Sequence, residues 1–195
     1  MCGRYFLQIS LEKLENNYGA LNILCETKKY KREVFPSNLA PVIYNKEKQR
    51  SFSLMKWGFK PSFSDSLVIN ARSETVHKKK LFKESFHTRR CLIPANGFYE
   101  WKDEAGKRLK HYVNLKNRDI ISLAGIYDRF KIEGSEEYAF CILTKDAPPE
   151  LREIHDRIPV IIKEKFTDEW LENKFTPRIF EYLKSKGLDF KIKIL

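Results

Sequence analysis

Apolar residues along this sequence come in runs of strand length, separated by polar, glycine or proline breaks. That pattern limits the fold more than any single residue does. Pro41 to Tyr44 and Ser51 to Trp57 read as two strands joined by a polar hairpin at Asn45 to Gln49. Cys91 to Pro94, Phe98 to Lys102, His111 to Leu115, Ile120 to Phe130, Tyr138 to Thr144 and Pro159 to Ile162 continue the series, with Gly134 marking a turn. Leu188, Phe190, Ile192 and Ile194 alternate as a last strand. Helical spacing is rarer. Leu7, Leu11, Leu14 and Tyr18 share one face, with Ser10 as cap and Gly19 as stop. Phe82 and Phe86 are four apart in the run Lys78 to Arg90, Pro148 can start a helix, and Asp168 to Asn173 forms a short one. Thr176-Pro177 opens another that Gly187 closes. Short strands in hairpins with helices between them predict one α+β domain, residues 1–195, built on antiparallel sheets. No stretch approaches the ~18 consecutive apolar residues of a membrane span, so no membrane span is expected.

The charge balance narrows the partner. Lys plus Arg number 37 against 26 acids, a net charge of +11. A polyanion is the natural partner, nucleic acid first and an anionic membrane surface second. Lys78 to Arg90 is the most basic run, although a charge run by itself is as well explained by a solvated face. The four cysteines, Cys2, Cys25, Cys91 and Cys141, make no C-x-x-C pair, so neither a zinc site nor any other metal or cofactor is expected. No signal peptide is legible, which points to a reducing cytoplasm and free thiols. His77, His87 and His111 have no motif around them and are expected at the surface.

Cys2 follows the initiator methionine, and a residue this small permits methionine removal. The mature chain would then carry an α-amine and a thiol on adjacent carbons. The amine, with an ordinary pKa of about 7.7–8.0, is partly neutral at physiological pH. Amine and thiol together can trap an aldehyde, the amine as an imine and the sulfur by closing a five-membered thiazolidine. Taken alone, position 2 is equally what a frayed terminus looks like.

Six ordered motifs carry a resemblance. They are Met1-Cys2-Gly3-Arg4-Tyr5, Pro36-Ser37-Asn38, Trp57-Gly58, Asn70-Ala71-Arg72-Ser73-Glu74-Thr75, the run Arg90-Cys91-Leu92-Ile93-Pro94-Ala95-Asn96-Gly97-Phe98-Tyr99-Glu100-Trp101, and His155-Asp156-Arg157-Ile158-Pro159-Val160. The sequence resembles the SOS-response-associated peptidase (SRAP) family, most strongly over residues 2–162. The resemblance implies an α+β domain with antiparallel sheets around a barrel-like core and flanking helices. It implies a DNA-damage protein that binds single-stranded DNA and crosslinks to abasic sites through its N-terminal cysteine, shielding them. An imine that instead loses a proton at the adjacent carbon would cleave the strand, so lyase activity belongs to the same expectation.

Residue by residue, Cys2 matches the crosslinking nucleophile, Asn70 the amide that holds the terminus, Glu100 the nearby carboxylate and His155 the active-site histidine. Arg4 and Arg72 match phosphate contacts, Trp57 a stacking face beside the missing base and Thr144 a contact to the DNA backbone. Two departures stand out. Phe63 occupies the loop where family members often have a second tryptophan, and the motifs stop after Ile162. A monomer, cytoplasmic and on the nucleoid when bound, is expected. Two other readings use the same residues: a cysteine peptidase acting on its own N-terminus through Cys2, His155 and Glu100, and a non-covalent reader of single-stranded or modified DNA.

Overall fold

The strand-length runs resolve into two sheets in the computed structural model, which describes residues 2–19, 22–23, 31–132, 135–174, 176–185 and 187–195. The first half of the chain forms β1 (Tyr5–Phe6), α1 (Leu11–Tyr18), β2 (Asn22–Ile23), β3 (Glu33–Val34), β4 (Leu39–Lys46), β5 (Gln49–Trp57), β6 (Asn70–Arg72), α2 (Lys80–Thr88) and β7 (Arg90–Ala95). There follow β8 (Gly97–Glu104), β9 (Lys107–Leu115), β10 (Ile121–Ile132), β11 (Ser135–Asp146), α3 (Pro149–Arg152), β12 (Arg157–Pro159) and β13 (Ile161–Ile162). A 3-10 turn (Glu164–Phe166), α4 (Thr167–Leu171), α5 (Pro177–Lys184) and β14 (Phe190–Ile194) complete the chain. Met1, Cys25 and the turn expected at Gly134 lie outside the described residues.

The larger sheet runs β11-β10-β7-β4-β5, and β5 pairs back on β11, so these five strands close into a barrel. Every pairing in the ring is antiparallel except the closing one, which is parallel at Ala139↔Lys56 and Phe140↔Trp57. A strand pair so far apart in sequence leaves no local signature, which is why an antiparallel barrel is the expectation and a mixed one the result. Beyond Trp57 the chain leaves the barrel as a loop and returns to the same edge of β11 as β6, pairing Asn70 with Ile142 and Arg72 with Thr144. The loop is pinched shut by the Phe59–Val68 bridge. Gly58, at φ 121°, makes the exit turn in a conformation that favours glycine. The smaller sheet, β14-β9-β8-β1-β3, places Tyr5 opposite Phe98 and Glu100 opposite His111.

Period-two burial splits each barrel strand between two packing sets. Val42, Cys91, Ile93, Leu123, Phe140 and Ile142 pack with Tyr5, Phe98 and Val113 of the smaller sheet. Their alternates Ile43, Leu92, Ala124, Ile126, Cys141 and Leu143 pack under Leu14, Tyr18, Phe86, Trp170 and Ile179 of the helices. The helix starts follow their caps. Ser10 Oγ accepts from Lys13 N at 3.2 Å, and Thr176 Oγ1 from Ile179 N at 3.2 Å. The last helix differs from expectation at its end: α5 stops at Lys184 with Ser185 as cap, before Gly187. His111 also differs. It is 5% exposed, because its strand faces it inward across from Glu100.

Gly97 begins the strand that carries Glu100, and the neighbouring strand passes very close to it. A Cβ there would lie 2.6 Å from Val113 O and 2.6 Å from Tyr112 Cζ. The backbone oxygen cannot give way without opening the β8–β9 ladder. Gly97→Ala should therefore destabilise the fold by about 1–3 kcal/mol, measured by urea denaturation with an unchanged m-value; wild-type stability would show that the two strands are farther apart in solution.

Candidate active site

The site is assembled where β1, β6, β8 and the α3–β12 connection meet. Cys2 enters just before β1 and is fully buried. Asn70, on β6, donates from Nδ2 to Cys2 O at 2.8 Å, which fixes the Cys2 backbone against the barrel. Glu100, on β8, is 4% exposed. Gly3, Arg4, Glu100, Trp101, Arg108 and His155 line one cavity of about 370 Å³. The structure thus brings together Cys2, Asn70, Glu100, His155 and Arg4 from four separate motifs.

Burial dominates the electrostatics. Desolvation lifts the Glu100 carboxyl from an ordinary 4.5 to about 7. Its Oε1 and Asn70 Oδ1 are buried acceptors with no hydrogen-bond partner among the described residues. Burial also pushes the Cys2 thiol well up, and the charge of Glu100 pushes it further. Cys2 Sγ lies 3.8 Å from Arg4 O as a thiol donor. His155 is half-buried, and burial holds it below its ordinary value. Its Nδ1 accepts from Arg157 N at 3.0 Å, so the neutral ring carries its proton on Nε2.

Arginines frame the cavity. The Arg4 guanidinium sits 4.2 Å over the Phe35 ring and 4.8 Å over Trp101, and pairs with Glu33 at 3.3 Å. Arg108 approaches the Trp101 ring at 5.7 Å. Arg72 is exposed beside the site on β6. Arg157 makes a bidentate pair with Glu74, 2.9 Å on each arm, and also donates to Asp146 Oδ1 at 2.5 Å and Thr144 O at 2.7 Å.

Two expected DNA contacts are not where the sequence placed them. Trp57 is fully buried: its indole N–H donates to Ile69 O at 3.0 Å, and its ring stacks on Phe140 with 7° between planes. It is a core residue with no free face. Thr144 is also fully buried, its carbonyl taken by Arg157. Phe63 is the most exposed aromatic among the described residues, 77% exposed in the loop between Gly58 and Asn70. Trp101, Arg108 and Phe35 belong to the site but escape sequence reasoning except for Trp101, which sits inside a quoted motif; no spacing in the sequence marks the other two.

Glu100 yields a pH prediction. A carboxyl raised above its unfolded value favours the fold when protonated. Its contribution is complete below about pH 4.5 and is lost as pH rises through about 7. Relative to Glu100→Gln, the wild type should lose stability on the order of 3 kcal/mol between about pH 5 and about pH 8. Urea melts at the two pH values measure this, and parallel curves for the two proteins would show Glu100 to be well solvated.

Comparison with known proteins places this arrangement. The sequence matches the family described as SOS response associated peptidase (SRAP) over residues 1–188, past the last of the six motifs. The abasic site processing protein YoqW of Bacillus subtilis (strain 168) is 31% identical over 193 residues, covering 95% of this chain and 85% of that protein. The abasic site processing protein HMCES of Xenopus tropicalis is 26% identical over 153 residues, 64% of this chain and 46% of that one. A crystal structure of a protein from Bacteroides thetaiotaomicron superposes with a TM-score of 0.84 at 24% identity, covering 100% of this chain and 92% of that one, and so shares the fold. With the family matched over nearly the whole length and a relative 31% identical across 95% of the chain, this protein belongs to the SOS response associated peptidase family.

Proposed function

We propose that this protein processes abasic sites in single-stranded DNA by covalent capture through Cys2. The observation that carries this reading is that Glu100 and His155 line one cavity with Gly3 and Arg4, next to the Cys2 backbone that Asn70 holds, with the buried Glu100 carboxyl lifted to about 7. The names of the relatives, abasic site processing proteins, support the substrate.

With Met1 removed, the Cys2 amine attacks the aldehyde of the ring-opened sugar, and loss of one water gives an imine. The Cys2 sulfur then adds to the imine carbon while the nitrogen takes a proton, closing the thiazolidine. The step sequence releases one water in all. It needs a group that gives and takes protons near neutrality, and a carboxyl near 7 suits that role better than an ordinary one. His155, neutral with its proton on Nε2, is a second donor at the cavity. The open acceptors Glu100 Oε1 and Asn70 Oδ1 suit the N–H groups of a terminal amine. Arg4 and the exposed Arg72 supply positive charge for the flanking phosphates. Phe63, rather than Trp57, offers a ring on which a neighbouring base can stack.

The peptidase reading asks Cys2 for a thiolate, and burial beside Glu100 works against one. Amine-first chemistry does not ask for it, so the electrostatics favour the crosslink. β-Elimination from the imine remains a branch of the same mechanism and would appear as strand cleavage.

A denaturing gel of the protein with single-stranded DNA bearing one abasic site tests the proposal. A heat-stable shifted band is expected with the wild type and none with Cys2→Ala or with intact DNA. Glu100→Gln should slow its appearance by about 10²-fold or more. No band from protein shown by mass to begin at Cys2 would overturn the mechanism. Phe63→Ala should weaken binding of the abasic strand by about 1–3 kcal/mol in a fluorescence anisotropy titration and leave the covalent product unchanged in mass; unchanged affinity would remove Phe63 from the interface.

A further inference from the structure

A second cavity, of about 570 Å³, shares no lining residue with the cavity that holds Glu100. Its volume falls within the roughly 300–1,000 Å³ typical of small-molecule sites. It opens where the end of α1, the start of β10 and β13 meet the 3-10 turn. Leu115, Ile121, Ile162 and Leu188 give it apolar walls. Into this wall is set a polar pair, Tyr18 Oη and Ser122 Oγ, hydrogen-bonded at 2.8 Å across 104 positions of sequence. Tyr18 is 3% exposed, and burial pushes its phenol up to about 12, so it stays neutral. One hydroxyl of the pair donates to the other, which leaves one hydroxyl hydrogen over for a further acceptor.

The mouth is cationic. Arg118, Lys163 and Lys165 line it against a single carboxylate, Glu164, which Arg118 engages at 3.2 Å. Lys163 is held in place by donating from Nζ to Gly187 O at 2.7 Å, and an ammonium keeps two further hydrogens after that bond. Lys165 is exposed, with Nζ 5.3 Å over the Phe166 ring. An apolar wall, a neutral donor set in it and uncompensated positive charge at the rim define one class of guest.

We infer that this cavity binds a small organic anion with an apolar ring body, the rings lying between the leucine and isoleucine side chains and the anionic group facing Lys163 and Lys165. The site is independent of the abasic-site reading, since none of its residues serves that chemistry. Neither a nucleic-acid backbone nor a metal fits it as well: the first lacks an apolar body to fill the walls, and the second would meet a cationic rim.

The probe is 1-anilinonaphthalene-8-sulfonate, titrated by fluorescence into the full chain at neutral pH, with two-dimensional amide NMR to locate it. One saturable site is expected, with shifts concentrated at Ser122, Ile162, Lys163 and Thr167. Lys165→Glu should weaken it about tenfold; Lys163→Glu is a second exposed variant with the same expectation. The uncharged analogue N-phenyl-1-naphthylamine should bind about tenfold more weakly than the sulfonate. Non-saturable binding, shifts centred instead on Arg4 and Trp101, or equal affinities for charged and uncharged probes would each overturn the inference. Retained crosslinking by Lys165→Glu would separate this site from the Cys2 chemistry, and loss of both together would refute their independence.

Discussion

The structure depends on how the free edge of β11 is shared. Its first part is taken by the end of β5, which closes the barrel, and its next part by β6, which brings Asn70 to Cys2. Gly58 N donates to Phe140 O at 2.8 Å at the changeover, and Ile142 N donates to Ile69 O at 3.0 Å where the chain returns. These are backbone bonds in a buried environment, where leaving either partner unpaired is costly. Barrel closure and placement of the site are therefore one act of pairing. A barrel that failed to close would also lose the strand that holds Cys2.

Around that frame the inner wall of the site is buried. Glu100 and Cys2 face the same buried region, and each is displaced toward its neutral form by desolvation. Arg157 closes the opposite flank by binding Glu74, Asp146 and the Thr144 carbonyl, tying three segments of chain beside His155. A neutral thiol, a carboxyl near neutrality and a neutral imidazole form a set that can pass protons without holding separated charge.

Much of this was legible in the sequence, and the failures have physical reasons. Strand-length runs located β4, β5, β7, β8, β10 and β11, because period-two burial writes itself into local composition. Ser10 and Thr176 located two helix starts, because capping is a contact over three residues. The ordered motifs pointed to Cys2, Asn70, Glu100 and His155, which the fold brings near one another. The closing pair of the barrel joins residues more than eighty positions apart and has no local mark. Trp57, from a motif, and Thr144, from the resemblance alone, were misplaced because neither source says which way a side chain faces. Trp57 faces the Tyr5 and Phe140 rings; Phe63, in a loop with no periodicity, faces water. His111 was misassigned for the same reason, since an isolated histidine on a strand carries no sign of its inward turn.

The bridge between Phe59 and Val68 separates two jobs that lie a few residues apart. Its inner side hands Asn70 to Cys2; its outer side is a loop whose ends are already fixed. Lengthening such a loop adds little closure entropy, about 0.6 kcal/mol for each doubling. The tip can therefore take a bulkier ring or extra residues while the Asn70 amide that holds Cys2 stays in register. The fold leaves this exposed loop tolerant of change and holds the Asn70–Cys2 contact still.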